Sequence, residues 1–541
     1  MQKNEIYPAE VTGYTSEGLG VCRIEGRAVF VRGAIAGEKC RVRILKAGKT
    51  AVWGRLEQVL EPSPHRTAPA CPWFGKCGGC DFLHMDYAEE LRLKEQRVRD
   101  ALTRLGGWTP PELPVLGAPA REHCRNKAQY PVGPGPRGAQ AGFYRARSHQ
   151  IIPVEHCLIQ SAEADALRQA VLDWMQRQHV PAYDETTGRG LVRHIFVRTG
   201  AATGQVMLCI VAAGDRLPHV QDLIDRAQDA VPALTTVVLS IHKKPGNAVL
   251  GTEFRTLFGP GFIEDILCGL TFRLSPRSFY QVNHDQAERL YALAIGAAGL
   301  TGSETVLDLY CGTGTITLAM AGRAGQVIGV EVVEQAIADA QENARRNGIG
   351  NARFLCADAG EAAAALAEEG IRPDVIVVDP PRKGLSPDVI EAAARMAPQR
   401  VVYVSCDPAT LARDIARFRA AGYEPQTAQA VDMFPACAHV ETVVSLSKEM
   451  STKHVRVDFS LEEFDMSGFR HGATYKEIQN RVLEQTGLQV SNLYIAQVKQ
   501  KCGIIVRENY NKPKSENARL PVCPPEKEAA IREALAYFGM I

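Results

Sequence analysis

The sequence lacks an excess of either charge, because 62 Lys and Arg residues stand against 61 Asp and Glu residues in a chain of 541. A chain-wide surface for polyanions is therefore excluded, and any contact with a nucleic acid must come from local basic patches. The first ten residues lack the apolar core of a signal peptide, and no apolar run approaches the roughly 18 residues that span a bilayer. We expect a soluble, cytoplasmic protein without a membrane anchor, and nothing in the sequence indicates an obligate protein partner.

Disulfides are not expected, although the chain has fifteen cysteines, because these are scattered through a long chain. In a reducing compartment such cysteines indicate metal binding or catalysis instead. A chain of this length exceeds what one hydrophobic core covers, so several domains are expected. The sequence predicts an α/β protein of four parts: a small β-barrel (1–61), a central α+β domain with a cysteine-rich loop (62–270), a Rossmann-like domain (271–448) and a mostly helical extension (452–541).

A buried-strand pattern ending at Asp308 leads into the glycine loop Cys311–Gly314, and a helical segment follows. Glycines at this place allow a tight turn with close backbone approach to a ligand. Glu331 ends the next strand, where an acid would bind ribose hydroxyls. Thr317 replaces the third glycine of the dinucleotide fingerprint. Asp308 precedes Gly312 by four residues, a spacing that resembles the first motif of methyltransferases. Both features favour S-adenosylmethionine over a dinucleotide.

Three further predicted strands carry polar residues at one of their ends. One ends at Asp379, before Pro-Pro-Arg-Lys-Gly; one ends in Ser405-Cys406-Asp407-Pro; and Glu441 begins the last. Ligands of such sheets sit beyond the carboxyl ends of the strands. A lone cysteine is usually a small buried hydrophobe, but Cys406 stands where the chain leaves the sheet, which favours a chemical role.

The order of these motifs, beginning with Phe279-Tyr-Gln-Val-Asn283, resembles the RNA uracil-5-methyltransferase family over about residues 1–448. The resemblance implies that Cys406 is a nucleophile that adds to uracil carbon 6, and that Glu441 is the base that later removes the carbon 5 proton. It also implies a flipped or single-stranded target base. The family's cofactor-binding positions correspond to Gln281, Tyr310, Thr315, Glu331, Asp358 and Asp379.

Four cysteines form a separate constellation, which we call the four-cysteine set: Cys71, Cys77, Cys80 and Cys157. Three of them share a glycine-rich loop and can surround one metal centre, which the distant fourth completes. Zinc also accepts four thiolates. The loop, with the following Asp81-Phe-Leu-His84, is similar to that of the bacterial 23S ribosomal RNA branch of the family, and this likeness favours a [4Fe-4S] cluster. Cys124 breaks the pattern and is interpreted as structural.

Basic residues suggest the RNA path. Residues 2–60 resemble a TRAM domain, a small RNA-binding barrel, and phosphate contacts are predicted for Arg23, Arg27, Arg32, Lys39, Arg41 and Arg43. Residues extending this path would be Arg125, Asn126, Lys127, Arg145 and Arg147. For each of these, a solvated surface residue is an equally good interpretation.

The C-terminal extension contains a capping box, Thr474-x-x-Glu477, and Ser491 before a second helical segment that Gly503 would stop. The pattern predicts a helix-turn-helix with Lys499 and Lys501 toward phosphate, or alternatively a helical packing or oligomerisation domain.

The favoured function is S-adenosylmethionine-dependent methylation of uracil carbon 5 in 23S ribosomal RNA. Transfer-RNA uracil-5 methylation uses the same chemistry and remains an alternative. A cytosine-5 enzyme would need a Pro-Cys nucleophile motif that is not found. A non-catalytic iron–sulfur assembly factor that binds RNA is the alternative from another class.

Overall fold

The computed structural model describes residues 1–48, 51–244, 246, 248–448, 475–502, 523–538 and 540. The chain divides into two compact units, Met1–Thr452 and Lys453–Ile541. None of the helices in the described ranges combines the length and apolar character that crossing a bilayer requires.

The first unit begins with a closed five-stranded barrel, as the alternating pattern predicts. Inward-facing side chains such as Cys40, Val42 and Ile44 alternate with outward-facing ones and fill the interior. A side chain at Gly54 would overlap Val42, so the barrel closes only with glycine there. Its strands are β1 (Ile6–Tyr14), β2 (Gly20–Ile24), β3 (Arg27–Arg32), β4 (Lys39–Ala47) and β5 (Val52–Glu61), in the order β1-β2-β3-β5-β4.

A long helix, α1 (Tyr87–Arg104), follows a segment without helix or strand in residues 62–86. Asp86 caps the helix by accepting a hydrogen bond from the Glu89 amide at 2.9 Å. The two-residue strand β6 (Val115–Leu116) then pairs with the edge of the last sheet of the unit. This segment therefore ties the region of the cysteine loop to the C-terminal half of the unit.

The central domain is a seven-stranded sheet with two helices packed on one face. Its strands β10 and β11 are almost wholly buried, because the opposite face is also covered. The elements are β7 (Lys127–Gly135), β8 (Gly138–Tyr144), β9 (Ile151–Pro153), α2 (Ala162–Arg177), β10 (Val192–Thr199), β11 (Val206–Ala212), α3 (Val220–Ala230), β12 (Leu234–Ile241) and β13 (Glu253–Phe258), in the sheet order β13-β12-β11-β10-β7-β8-β9. A hairpin, β14 (Ile263–Leu267) and β15 (Leu270–Leu274), follows.

The last domain of the unit is an eight-stranded sheet with the predicted Rossmann-like alternation. The first five strands of the sheet order below are parallel, and the four inner ones read as apolar runs, since helices cover both faces. The elements are α4 (His284–Ala298), β16 (Thr305–Asp308), α5 (Thr315–Ala321), β17 (Gln326–Glu331), α6 (Glu334–Arg346), β18 (Ala352–Cys356), α7 (Ala359–Glu368), β19 (Val375–Val378), α8 (Pro387–Arg395), β20 (Arg400–Ser405), α9 (Pro408–Ala420), β21 (Tyr423–Val431) and β22 (Glu441–Lys448). The sheet order is β18-β17-β16-β19-β20-β22-β21-β6.

The second unit is described as three helices around one apolar cluster: α10 (Tyr475–Thr486), α11 (Asn492–Lys501) and α12 (Pro525–Tyr537). Ser491 caps α11, as predicted, by accepting from the Tyr494 amide at 3.3 Å. Thr474 and Gly503, which belong to the predicted cap and stop, lie outside the described residues.

The prediction that Lys499 faces phosphate is wrong. Its side chain is buried, and the ammonium lies 4.9 Å from the Tyr475 ring centre, because it packs inside the three-helix cluster. Lys501 forms an ion pair with Glu528 of α12. These contacts fit the packing role that the sequence left open for this part of the chain.

Candidate active site and cysteine cavity

The glycine loop between β16 and α5 has the geometry of a ligand cradle. Gly312 and Gly314 have φ angles of 54° and 83°, in the left-handed region that favours glycine. The Glu331 carboxylate at the end of β17 accepts from the Gly312 amide at 3.3 Å and fixes the loop to the neighbouring strand. The predicted acid at this position therefore reaches the loop.

The missing third glycine of the fingerprint has a structural reason. The Thr317 hydroxyl donates to the buried carboxylate of Asp308, the last residue of β16, at 2.6 Å. Burial raises the pKa of Asp308 to about 6, although this bond opposes the shift. Threonine at this position satisfies a buried acid, which a glycine could not do.

The remaining predicted cofactor residues lie around the same edge. Gln281 is buried, and its carbonyl accepts from the Asn126 side-chain amide at 2.9 Å. Burial raises the pKa of the half-buried Tyr310 to about 12. The Thr315 hydroxyl is 2.9 Å from that of Tyr291. Asp358 follows β18 and caps α7.

The residues predicted to be the nucleophile and the base lie on two neighbouring strands. Cys406 directly follows β20, Glu441 begins β22, and Ser405 pairs with Thr442 in the antiparallel register between them. Asp379 follows the adjacent strand β19. The fold therefore brings three residues that are far apart in the sequence to one edge of the sheet.

Burial controls the charges of this group. It raises the pKa of Glu441 to about 8, with Asp379 adding to the shift, and that of Asp379 to about 7, with Asp308 adding. It raises the pKa of Cys406 to about 11, and both carboxylates add to the effect. The Arg382 guanidinium opposes the shifts of Cys406 and Glu441. A carboxyl group whose pKa lies at about 7 or 8 is suited to proton transfer at physiological pH.

Sequence reasoning missed the residues that hold the loop before Glu441. Arg97 of α1 donates to the Ala438 carbonyl, in the loop before Glu441, and lies 4.0 Å from the carboxylate of Asp407, which follows Cys406. The Arg382 side chain is 3.4 Å from the His439 ring nitrogen. Neither contact leaves a signal in local spacing, because the partners are distant in sequence.

A buried ionic network contacts the same loop at Ala436. The Lys94 ammonium is 2.7 Å from Glu90 and 2.5 Å from Asp432, and the Glu90 carboxylate also accepts from the Ala436 amide. Glu90 and Lys94 are four positions apart on a helix, and that spacing was the available sequence signal. The third partner, Asp432, could not be found in this way.

The four-cysteine set lines a single cavity with apolar walls. Within the described residues, however, no group of three or more His, Cys, Asp or Glu side chains converges as the ligands of one metal ion do. The Gly79 amide donates to the Cys77 sulfur at 3.3 Å, which is the kind of bond that stabilises thiolate ligands. Cys124 does not line the cavity. The other lining residues are Trp73, Phe74, Gly79, Leu83, Arg125, Phe143, Val154, Leu158, Ile159 and Gln160.

The predicted RNA-contacting residues have different environments. Arg23, Arg32, Lys39 and Arg41 are exposed on the barrel, although Lys39 pairs with Glu61. Arg27 donates to the Gly48 carbonyl and Arg43 pairs with Glu57. Arg145 donates to Gln150, and Arg147 lies 3.8 Å from Glu17.

The prediction of an RNA contact for Asn126 is wrong. Its side chain is buried, and its amide donates to the Gln281 backbone carbonyl, because the residue joins the central sheet to the segment that leads into α4. Its role is structural.

Comparison with known proteins agrees with the geometry. Residues 268–449 match the tRNA (Uracil-5-)-methyltransferase family, and residues 2–56 match the TRAM domain. An RNA methyltransferase of Halalkalibacterium halodurans is 41% identical over 447 residues, which are 82% of this chain and 98% of the relative. One from Clostridium tetani is also 41% identical, over 83% of this chain and 97% of its own length. The chain belongs to the RNA uracil-5-methyltransferase family.

A solved relative in this family shares the fold. The tRNA (uracil-54, C5)-methyltransferase of Pyrococcus abyssi, in complex with S-adenosyl-L-homocysteine, superposes with a TM-score of 0.66 over 81% of this chain and 100% of its own. Its sequence is 24% identical. This likeness shows the shared fold. The family and domain matches and the curated relatives make the chain an RNA methyltransferase with an N-terminal TRAM barrel, as the sequence predicted.

Proposed function

We propose that this enzyme methylates uracil carbon 5 in 23S ribosomal RNA through a covalent bond between Cys406 and carbon 6 of the base. The observation that supports the mechanism is the placement of Cys406 and Glu441 on adjoining ends of β20 and β22. A nucleophile and a base within one site are what such a reaction needs. Non-catalytic assembly factors have no need to keep both.

The chemistry assigns a task to each residue. The Cys406 thiolate forms a C–S bond at carbon 6, and the ring electrons move to oxygen 4, which makes carbon 5 nucleophilic. S-Adenosylmethionine supplies the methyl group, whose bond to sulfur breaks as its bond to carbon 5 forms. Glu441 takes the carbon 5 proton, the C–S bond breaks, and the thiolate leaves. The Arg382 cation favours the charged forms of both residues.

The cofactor site is proposed at the edge formed by the glycine loop. Glu331 and Asp379 lie where the acids of such sheets meet a ligand, and the target base must be extruded from its stack to reach Cys406. The full set proposed to bind S-adenosylmethionine is Gln281, Tyr310, Thr315, Glu331, Asp358 and Asp379.

For the four-cysteine set we propose a [4Fe-4S] cluster rather than zinc. The four residues line one apolar cavity. The loop that carries three of them is similar to that of the ribosomal RNA branch of the family, and four thiolates can hold such a cluster. The cluster would hold the cysteine loop against the central domain, with no role in the methyl transfer.

Ribosomal RNA is favoured as substrate by the combination of TRAM barrel and cysteine loop. Transfer RNA is the competing substrate, since the solved relative from Pyrococcus abyssi acts on it. The test is to map 5-methyluridine in both RNAs from cells with and without the gene, with Cys406→Ala as matched control. We expect 5-methyluridine to disappear from 23S ribosomal RNA alone. Its disappearance from transfer RNA, or its persistence everywhere, would contradict the proposal.

A further inference from the structure

Two cations face each other across neighbouring strands of the central sheet. Lys127 begins β7 and pairs in register with Arg198 of β10. Directly opposed residues of an antiparallel pair project from the same face, and like charges placed there repel each other. In the described part of the chain, no carboxylate forms an ion pair with either side chain.

Both side chains have hydrogen-bonding capacity that the protein does not use. One Arg198 nitrogen donates to the Ser278 carbonyl at 2.8 Å, but Nε and Nη1 are buried without a partner among the described residues, and the whole residue is 2% exposed. The Lys127 ammonium has no hydrogen bond within the same described ranges. Burial, and then the charges of Arg198 and Arg125, lower the pKa of Lys127 to about 8. Buried donors without an acceptor cost desolvation free energy, and a bound anion would offset this cost by accepting their hydrogen bonds.

The pair lies next to the segment that contains Ser278 and Phe279, and this segment contacts the glycine loop. Arg198 holds Ser278, and the carbonyl of the following Phe279 is 3.5 Å from the Thr313 hydroxyl of the glycine loop. The Phe279 ring is 64% exposed. Lys127 is itself partly exposed and can therefore be reached from solvent. An anion at this point would lie near the glycine loop, separate from the exposed arginines of the barrel.

We propose that Lys127 and Arg198 form a binding site for one phosphodiester of the RNA, adjacent to the uridine that is methylated. The inference rests on the proposed RNA substrate. A phosphodiester presents two anionic oxygens, which suit an ammonium and a guanidinium together. Its charge also cancels the repulsion across the strands. The site fixes the position of the RNA backbone and reads no base.

The decisive measurement is the salt dependence of binding to a 23S ribosomal RNA transcript by the full-length protein and by Lys127→Met. Each phosphate contact contributes about one unit to the slope of log affinity against log salt. We expect the slope to fall by about one, the affinity to fall by about three- to tenfold, and the KM for RNA to rise more than kcat falls. An unchanged slope and affinity would overturn the proposal.

Lys243→Met is the matched control. Lys243 is exposed and follows β12, which runs in the same direction as β7, so it lies at the opposite end of the sheet from Lys127. The Lys243→Met variant loses the same charge, and we expect it to keep the wild-type slope of log affinity against log salt. An equal loss in both variants would indicate a general charge effect and would overturn the site.

Melting temperatures separate RNA from a free anion as the occupant. Without RNA, Lys127→Met is expected to be at least as stable as wild type, because the cross-strand repulsion is gone. Inorganic phosphate should protect wild type more than this variant. If phosphate does so while the RNA affinity of the variant is unchanged, the site holds a free anion and the proposal fails. Absence of 5-methyluridine formation despite normal RNA binding would instead refute the proposed function alone.

Discussion

Replacing Glu441 by Gln removes the proposed base and keeps the shape of the side chain. Glu441 is 4% exposed, and Asp379 lies close enough to raise its pKa. The neutral amide also removes a like-charge repulsion, so the fold should tolerate it. Proton removal by a positioned side chain contributes about 10²–10⁴-fold to a rate. We expect turnover of Glu441→Gln to fall by that factor and the RNA–Cys406 adduct to accumulate on ordinary RNA.

The pH dependence of the wild-type enzyme follows from the same group. Burial, and then Asp379, raise the pKa of Glu441 to about 8, so about one-tenth of it is ionised at pH 7 and about half at pH 8. The base must be ionised to accept a proton. Proton removal is therefore expected to rise about fivefold from pH 7 to pH 8 and to level off above about pH 9.

The assay is the release of tritium from RNA that carries 5-tritiated uridine, measured in a single turnover. This signal reports removal of the carbon 5 proton directly. Glu391→Gln, an exposed position on α8, is the matched control and should release tritium at the wild-type rate. Turnover of Glu441→Gln within a few-fold of wild type, without trapped adduct, would refute the assignment of the base.

Three other outcomes are expected. Serine at any position of the four-cysteine set should abolish the iron and sulfide of anaerobically purified protein; full retention, or zinc in the unaltered chain, would contradict the cluster. Arg66→Ala leaves the fully buried Glu38 carboxylate without its ion pair, so denaturant titration should show a loss of about 3–5 kcal/mol in the free energy of unfolding, and a loss below about 1 kcal/mol would contradict it. Burial, and then Asp308, raise the pKa of Asp379 to about 7. Because a sulfonium cation favours the ionised carboxylate, calorimetry should show that the affinity for S-adenosylmethionine rises from about pH 6 to pH 8 more steeply than the affinity for S-adenosylhomocysteine, whose sulfur is uncharged. Equal slopes for the two ligands would contradict this prediction.

Much of the fold was predictable because its signals are local. Alternation over residues 1–60 specifies a barrel, and apolar runs that end in acids specify parallel strands whose ends share one edge. The grouping of Asp379 and Cys406 follows from that rule. Glu441 begins β22, which runs antiparallel to β20, so its place in the group depends on that pairing. Thr317 could be noted only as a missing glycine, since its bond to Asp308 depends on the path of the loop between them.

The predictions that were wrong concern the direction of side chains, and the contacts that were missed join residues far apart in the sequence. Asn126 stands between two basic residues, which suggested an exposed RNA contact, but the tertiary contact with Gln281 turns it inward. Lys499 was placed by its charge, whereas the apolar stem and the Tyr475 ring favour burial. The pairing of Lys94 with Asp432 joins residues from opposite ends of the first unit. No local pattern encodes such a contact.

The covalent role of Cys406 is tested most directly by intact-mass measurement after denaturation, with 5-fluorouridine RNA and S-adenosylmethionine. Fluorine at carbon 5 cannot be removed as a proton, so the C–S bond should persist. We predict one RNA-linked species in the wild-type chain and none in Cys406→Ala. No adduct in the wild-type chain, or an adduct that persists in Cys406→Ala, would contradict the mechanism.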